Sequence, residues 1–336
     1  MADRVSGAPP RSADESLIHM HIPKCGGTTL RSLLTATVPE PIRFEVDSRN
    51  IAGSRALLSC LPEKERWKIR LLHGHLNYGW HDLLPRRARY ITVLRDPDSR
   101  VISHYNYVRG RPDHYLYDEL VGRKMSLVDY VESGLTCEVN NGQVRQISGV
   151  EDIIQKPYGE SRIRYGSDQS ALLEQALDNI ERHFVVVGML ERFDETLKAL
   201  TVLIGLPVVP HIVLNATRDT RLAIPSPTSD EIERVRRYNR EDHELYRILG
   251  ERFDLLMNKI TQGGSQRMFY GDIFDVEEVE RRQTAERAHA RIRAALVDTE
   301  SSWKRIRHLL TVVAISPKAI LTKFYARAWL RVLARH

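Results

Sequence analysis

Residues 21 to 30 read HIPKCGGTTL and join a short apolar run to an amphipathic segment. Two adjacent glycines let a backbone wrap closely around an anion, and the first amides of a following helix have no partners within that helix. The hydroxyls of Thr28 and Thr29 add donors, and Lys24 adds a positive charge. This stretch therefore predicts a phosphate-binding loop, with a generic glycine turn as the alternative.

The order of these residues separates the loop from two common nucleotide-binding motifs. A Walker A loop has its lysine after the glycines and places a Ser or Thr on Mg²⁺. Here Lys24 precedes Gly26 and Gly27, and the dinucleotide fingerprint G-x-G-x-x-G is absent as well. A magnesium-dependent nucleoside triphosphatase or a nucleotide kinase is therefore disfavoured.

A second candidate anion site lies in VLRDPDSRVISHY. Arg95 ends a predicted strand, and Ser103 follows eight residues later on the predicted helix. A guanidinium offers phosphate a planar, bidentate fork, and a hydroxyl adds a further donor. The alternative is a capped and salt-bridged helix start. Together the two motifs fit a ligand that carries two separate phosphates.

The elements that must position these motifs alternate between short β-prone runs and segments with helical spacing. The strand candidates cover 16–22, 67–75, 88–96 and 184–190, and the helix candidates cover 29–38, 96–108, 171–184 and 192–206. Short strands that alternate with helices are typical of a parallel sheet covered by helices. The pattern therefore predicts a three-layer α/β domain.

The strand–helix alternation ends near residue 262. Before it, residues 228–260 read as one long helical stretch, which Thr228 and Glu231 begin with capping-box spacing. From about residue 271 the chain is predicted to be helical only and is rich in arginine. We therefore divide the chain into a disordered lead-in at 1–15, a main domain at 16–265 and an all-helical, basic C-terminal extension at 271–336.

The net charge and the cysteine content narrow the class of partner and the compartment, but they do not identify a ligand. The chain has 336 residues and a net charge of +6, which suits an anionic partner such as a nucleotide, an anionic glycan or an acidic membrane. Its three cysteines, Cys25, Cys60 and Cys137, form no disulfide framework and no metal-ligand pattern. The first sixteen residues contain no apolar stretch. These features predict a reducing compartment and a cytoplasmic location.

The segment 301–336 contains no Asp or Glu. Lys323, Arg327, Arg331 and Arg335 recur four residues apart and form one basic stripe on a helix. One interpretation is a peripheral helix that rests on anionic lipid. The other is a helix packed on the main domain or on a second subunit, so both a membrane contact and a homo-oligomer stay open.

The two anion motifs together resemble those of the PAPS-dependent sulfotransferases. HIPKCGGTTL is similar to their 5′-phosphosulfate loop, and VLRDPDSRVISHYNYV is similar to their 3′-phosphate motif. The forms HIPK.GGT and LRDP..R..SHY resemble the carbohydrate branch that includes the uronyl 2-O-sulfotransferases. NNGQVRQISG, VVVGMLERFDETL and NREDHELY match that branch in order, so the resemblance runs from about residue 16 to 256.

This resemblance implies a P-loop-like α/β fold with a central parallel sheet, PAPS as sulfuryl donor, PAP as product, and no metal. Residues 16–265 are then the sulfotransferase catalytic domain. The residues implied for the 5′ end of the donor are Lys24, Cys25, Gly26, Gly27, Thr28 and Thr29, with Cys25 acting through its backbone N–H. Arg95 and Ser103 are implied for the 3′-phosphate. The C-terminal Arg-Lys-Gly clamp of the small-molecule sulfotransferases is not recognisable.

Sulfuryl transfer needs a base for the acceptor hydroxyl and a positive charge for the departing phosphate. In LLHGHLNYGW, the H-G-H resembles one at the active site of carbohydrate sulfotransferases, and by that match His75 is the base and His73 a supporting residue. Lys24 is assigned to the bridging oxygen. The alternative is a pair of hydrogen-bonded loop histidines. His21 and His104 are interpreted as structural.

The acceptor is the least determined part of this prediction. The segment 105–119 is interpreted as a lid with aromatic and basic side chains, with a solvated loop as the alternative, and Arg145 is a weaker candidate for nucleotide or acceptor contact. The predicted acceptor is a carbohydrate or glycoconjugate hydroxyl and no nucleic acid. A sulfotransferase for a lipid or small-molecule alcohol, and a non-catalytic nucleotide- or polyanion-binding protein of the same fold, remain alternatives.

Overall fold

The computed structural model describes residues 15–38, 42–150, 161, 163–206 and 226–262. Within these ranges, five strands form one parallel sheet flanked by helices. The predicted α/β class and central parallel sheet are therefore confirmed. The predicted lead-in (apart from residue 15) and the basic helical extension at 271–336 lie outside the described residues.

The sheet has the strand order β2-β3-β1-β4-β5. The strands are β1 (Glu15–Met20), β2 (Arg43–Val46), β3 (Leu71–Gly74), β4 (Arg87–Leu94) and β5 (Phe184–Met189). Every residue of β5 is buried, as expected for a parallel strand covered on both faces. The sequence did not predict β2, because this half-buried edge strand has only four residues and two of them are charged.

Ten α-helices connect or cover these strands within the described residues. They are α1 (Gly27–Thr37), α2 (Ile51–Cys60), α3 (Glu63–Arg66), α4 (Pro97–Arg109), α5 (Leu127–Glu132), α6 (Gly142–Ser148), α7 (Ser170–His183), α8 (Phe193–Ile204), α9 (Ser229–Arg237) and α10 (Arg240–Thr261). The four predicted helices before residue 207 are thus confirmed as α1, α4, α7 and α8.

The predicted single helix over 228–260 is two helices, α9 and α10, that break at Tyr238 and Asn239. The predicted capping box is present, since Thr228 N donates to Glu231 Oε2 at 2.8 Å. The break coincides with Asn239, whose Nδ2 donates both to Val235 O of α9 at 2.9 Å and to the distant Val139 O at 3.0 Å.

The strand order creates a crevice between β1 and β4. After β1 the chain crosses towards β2 on one side, whereas after β4 it crosses towards β5 on the other side. Parallel α/β sheets bind ligands at such a switch point, outside the carboxyl ends of the strands. The loops that begin at residues 21 and 95 both leave the sheet there. The topology thus brings the two predicted anion motifs side by side.

Candidate active site

The loop after β1 leads into a helix start that no side chain caps. Gly26 has φ of 74° and precedes α1, whose first turn holds no acidic residue. A Cβ on Gly27 would lie 2.0 Å from Cδ2 of the half-buried His21 ring, so a larger residue there would have to displace that ring. Because the first amides and the helix dipole face no carboxylate from the first turn, this start is suited to an anion.

The loop after β4 leads into a helix start that is already occupied by carboxylates. The Asp96 side chain accepts from Ser99 N at 2.9 Å. Asp98 is buried and pairs with Arg236 at 2.9 Å and with His243 at 2.7 Å. Anion binding on this side therefore depends on side chains, for which the sequence predicted Arg95 and the half-buried Ser103.

The two loops are in direct contact. Arg95 Nη1 donates to Lys24 O at 3.2 Å, which joins the predicted 3′-phosphate residue to the predicted 5′ loop. The fully buried Arg100 donates from Nε to Pro23 O at 3.2 Å and from Nη1 to Glu138 O at 2.8 Å. Two arginines from the second motif thus hold the backbone of the first.

The Lys24 ammonium lies in a partly buried, cationic setting. Its Nζ is 4.0 Å from the centre of the Tyr107 ring, a cation–π contact across to α4. Burial, with the nearby charges of Arg95 and Arg111, lowers the pKa of Lys24 to about 8. Because the surroundings disfavour the charged form of Lys24, an anion bound beside it would stabilise that charge.

The His75 ring has a defined proton arrangement. Its Nδ1 lies 2.9 Å from His21 O, and because a carbonyl only accepts, Nδ1 must carry the hydrogen. Nε2 is then the unprotonated nitrogen of the neutral ring. The ring stacks on His21 with centroids 4.2 Å apart, and burial lowers the pKa of His75 below its ordinary value. The His75 ring is thus neutral and is joined to the predicted 5′ loop, and its role as base stays a prediction.

The glycine of H-G-H is required by close packing, because Gly74 has φ of 144° and a Cβ there would lie 2.8 Å from the Val46 Cβ. Gly74 O also accepts from His21 N at 2.9 Å. His73 lies buried within β3, in register with His19 on β1 and Glu45 on β2. Its predicted supporting role stays a prediction.

Two further candidates have interior partners. His104 bonds Glu138 at 3.2 Å and Tyr130 at 3.0 Å, which agrees with the structural role predicted for it. The buried Arg145 guanidinium donates to Gln169 at 3.2 Å and to Asn140 at 3.1 Å. The described donors of Arg145 thus face the protein interior, and its role as a nucleotide or acceptor contact stays a prediction.

The sequence analysis gave no role to the two glutamines of NNGQVRQISG, Gln143 and Gln146. Both are buried on α6, and both bond the loops of the site. The sequence contains one signal for this pair: two uncharged side-chain amides three residues apart lie on one face of a helix. The charged neighbour Arg145 was chosen instead.

Neither a candidate metal cluster nor a membrane-spanning helix occurs among the described residues. No group of three or more His, Cys, Asp or Glu side chains in this part of the chain is placed to hold a metal ion. No described helix is long and apolar enough to cross a membrane.

Comparisons with known proteins place the chain near carbohydrate sulfotransferases. It is 24% identical over 283 residues to the heparan sulfate 2-O-sulfotransferase of Caenorhabditis elegans, spanning 76% of this chain and 83% of that protein. It is 27% identical over 273 residues to human heparan-sulfate 6-O-sulfotransferase 1 and 25% identical over 276 residues to chicken heparan-sulfate 6-O-sulfotransferase 2. Each of the last two alignments covers 69% of this chain, but only 64% and 65% of those proteins.

No family model matches the chain. A mouse sulfotransferase solved with PAP aligns over 76% of this chain and 90% of its own at 14% identity, with a TM-score of 0.37, which is too low to support a conclusion. The sequence relatives confirm the predicted resemblance to the PAPS-dependent carbohydrate sulfotransferases.

Proposed function

We propose that this chain transfers the sulfuryl group of PAPS to a hydroxyl of an anionic carbohydrate, with the heparan sulfate class as the first candidate. The observation that carries the proposal is the meeting of three parts at one switch point. Arg95 contacts the backbone of Lys24, and His75 stacks on the loop that contains Lys24. This arrangement offers two anion sites and a base within one crevice.

The donor is held at its two ends by different means. The open start of α1, with Gly26, Gly27 and the hydroxyl of Thr28, binds the 5′-phosphosulfate through backbone amides. Arg95 and Ser103 bind the 3′-phosphate through side chains. PAPS supplies the sulfuryl group and a good leaving group, so the protein has mainly to position and to stabilise charge.

Two side chains carry the proton and charge changes. His75 Nε2 accepts the proton of the acceptor hydroxyl while the acceptor oxygen forms its bond to sulfur. As the bond between sulfur and the bridging oxygen breaks, Lys24 Nζ stabilises the electron pair left on that oxygen. His75 is neutral and Lys24 largely charged near pH 7, as both roles require.

The acceptor enters beside the segment 105–119. Tyr107 and Arg111 are exposed there, and the Arg111 guanidinium lies 5.4 Å from the centre of the Tyr107 ring. Their cationic and aromatic surface, next to Lys24, suits the carboxylates and sulfates of an anionic glycan. The relatives that act on heparan sulfate support the same acceptor class.

The test is incubation with labelled PAPS and a panel of heparan sulfate, other glycans, glycolipids and phenols, with products identified by mass spectrometry. Sulfated glycan together with PAP release is the expected result. Sulfation of only the lipid or phenol arm would move the acceptor to another class of alcohol. PAP binding without any product would favour the non-catalytic alternative. The absence of both PAP binding and product would overturn the proposal.

The cytoplasmic location and the lipid contact of 301–336 stay predictions. Removing 301–336 and measuring sedimentation with anionic liposomes tests the lipid contact, and unchanged binding would contradict it.

A further inference from the structure

We infer that α6 carries two positioning residues for the transfer reaction. Gln143 sets the two phosphate loops relative to each other, and Gln146 sets the backbone that orients His75. The inference rests on the proposed function and deepens it, because it names what holds the donor loops and the base in one geometry.

Gln143 joins the two phosphate loops through a single buried amide. Its Oε1 accepts from Arg95 N at 3.0 Å and from Cys25 Sγ at 3.5 Å. Its Nε2 donates to Arg95 O at 3.0 Å. One side chain therefore bonds both backbone groups of the residue that begins the 3′ loop and, at the same time, the thiol of the 5′ loop.

Gln143 is itself held rigidly. The first amides of α6 point at the buried carboxylate of Asp242, with Gln143 N 3.1 Å from Oδ2 and Val144 N 2.8 Å from Oδ1. Asp242 belongs to the first turn of α10. A carboxylate at a helix start both satisfies the free amides and favours the helix dipole. The side chain that links the loops is thus fixed to the helical layer.

Gln146 lies one turn further along the same helix and bonds the loop of the base. Its Nε2 donates to Leu76 O at 2.7 Å and to His21 O at 3.3 Å. His21 O is also the acceptor for His75 Nδ1. Gln146 therefore fixes the carbonyl that determines which nitrogen of His75 carries the proton.

The two glutamines act on different quantities. A donor that carries two phosphates gains affinity from binding both loops at once only if their spacing fits. The affinity of a nucleotide with one phosphate does not depend on the spacing of the two loops. Orientation of the base instead affects the rate, since a shift of about 1 Å costs on the order of a hundredfold in turnover.

The test for Gln143 measures binding by calorimetry with three nucleotides: PAP, adenosine 5′-phosphate and adenosine 3′-phosphate. In Gln143→Ala, PAP affinity is expected to fall at least about tenfold, as for loss of a buried hydrogen-bonded group. The affinities of the two single-phosphate nucleotides are expected to change less than about threefold. Gln143→Met keeps the side-chain volume and repeats the test if the alanine variant does not fold.

Gln169→Ala is the matched control. Gln169 is also a buried glutamine, and it bonds Asn140 at 2.7 Å and Arg145 at 3.2 Å without touching either phosphate loop. Its removal is expected to lower stability to a similar extent and to leave the ratio of PAP to adenosine 5′-phosphate affinity unchanged.

For Gln146→Ala, kcat is expected to fall at least about tenfold while PAP affinity stays within about threefold of the wild-type value. The acidic limb of the pH–kcat profile is expected to shift as well, because the His21 carbonyl that accepts from His75 Nδ1 loses its second donor and is no longer fixed in position. Gln146→Met serves as the volume-matched variant.

The outcomes separate the inference from the proposed function. Equal losses for all three nucleotides in Gln143→Ala, or an unchanged PAP affinity, would overturn the role of Gln143. An unchanged kcat and pH profile would overturn that of Gln146. Absence of PAP binding by the wild-type protein would overturn the proposed function itself, and the inference with it.

Discussion

The starts of α1 and α4 lie at the same edge of the sheet but are suited to anions by different means. α1 begins at Gly26 with no side-chain cap and no acidic residue in its first turn. α4 begins at Pro97 with the Asp96 cap, and its first turn holds the buried Asp98. The start of α1 leaves its backbone amides without a side-chain cap. At the start of α4, the Ser99 amide and the Asp98 carboxylate already have partners within the protein.

This difference shows how one crevice can hold a ligand by both of its ends. The reacting end needs close backbone approach and a base, and α1 provides them through glycines and the neighbouring His75. The other end needs only affinity and a fixed position, which Arg95 before α4 and Ser103 on this capped helix would supply. We therefore expect changes near α1 to affect turnover and binding of the 5′ end of the donor, and changes near α4 to affect binding of the 3′-phosphate or stability.

The largest expected effect is on the α1 side. His75→Ala is expected to reduce kcat about 10²–10⁴-fold by removing the base, while PAP affinity stays near the wild-type value. Steady-state kinetics and calorimetry measure the two quantities. His183→Ala, a half-buried histidine that bonds Tyr78, is the control and is expected to be nearly neutral for turnover. A collapse of PAP affinity in His75→Ala would contradict the assignment of this residue as base.

The second prediction makes α1 resemble α4. Thr28→Asp adds a carboxylate to the first turn of α1, which should stabilise the helix by about 0.3–1 kcal/mol through its dipole. The same charge repels the donor, so PAP affinity is expected to fall at least about thirtyfold at the short distance of a bound phosphate.

Thermal unfolding and calorimetry separate these two effects of Thr28→Asp. Ser32→Asp, on the exposed face one turn further along, is the matched control and should leave PAP affinity almost unchanged. If Thr28→Asp bound PAP normally, the open start of α1 would not be the phosphate site.

The third prediction concerns pH. In the proposed mechanism His75 is the neutral base, and because burial lowers its pKa, the acidic limb of the kcat/KM profile should lie below the ordinary histidine value of 6.5. Lys24 is the proposed cation, and its pKa of about 8 should place the basic limb near pH 8. Each limb should approach about tenfold per pH unit. Lys24→Arg keeps the charge and should move the basic limb to higher pH.

The α4 side should not respond over this range of pH. Burial raises the pKa of Asp98, but the hydrogen bonds and charges of His243 and Arg236 outweigh it and hold the pKa below its usual value. Asp98 therefore stays ionised at neutral pH and keeps its ion pair with Arg236 until the pH falls through that lowered value. Affinity for adenosine 3′-phosphate that varied strongly between pH 6 and 9 would contradict this division.

The smallest expected effect is on the α4 side. Asp96→Ala removes the cap on Ser99 N and should cost about 1 kcal/mol of unfolding free energy, measured by denaturant titration. PAP affinity should stay the same or rise slightly, because a negative charge leaves the crevice. Asn50→Ala removes the cap of α2 on Gly53 N and is the stability control. A tenfold gain of PAP affinity would mean that α4, once its cap is removed, also binds through its amides.

Much of the fold could be predicted because the strands β1, β3, β4 and β5 are apolar runs flanked by helical periodicity. β2 was missed because an edge strand of four residues has no pattern long enough to detect. The break between α9 and α10 was also missed, since Asn239 bonds Val139 and Asn141, which are about a hundred residues away in the chain.

The site shows the same division between local and distant information. Lys24, His75 and Arg95 could be found because each lies in a short motif beside a predicted strand. Gln143 could not, because its role depends on Arg95 and Cys25 lying near each other in space. Within one motif the structure turned Arg145 towards the interior and Gln143 towards the loops, and no spacing rule distinguishes the two.

The sequence by itself determined the local chemistry of this protein: an anion loop with its lysine ahead of its glycines, an arginine at a strand end and a histidine pair around a glycine. The tertiary structure decided which of these groups meet. The strand order brings the loops after β1 and β4 together, and His21 O selects the proton-bearing nitrogen of His75. The physical reason is that residue types and their spacing define possible donors and charges, whereas distances between them depend on contacts far apart in the chain.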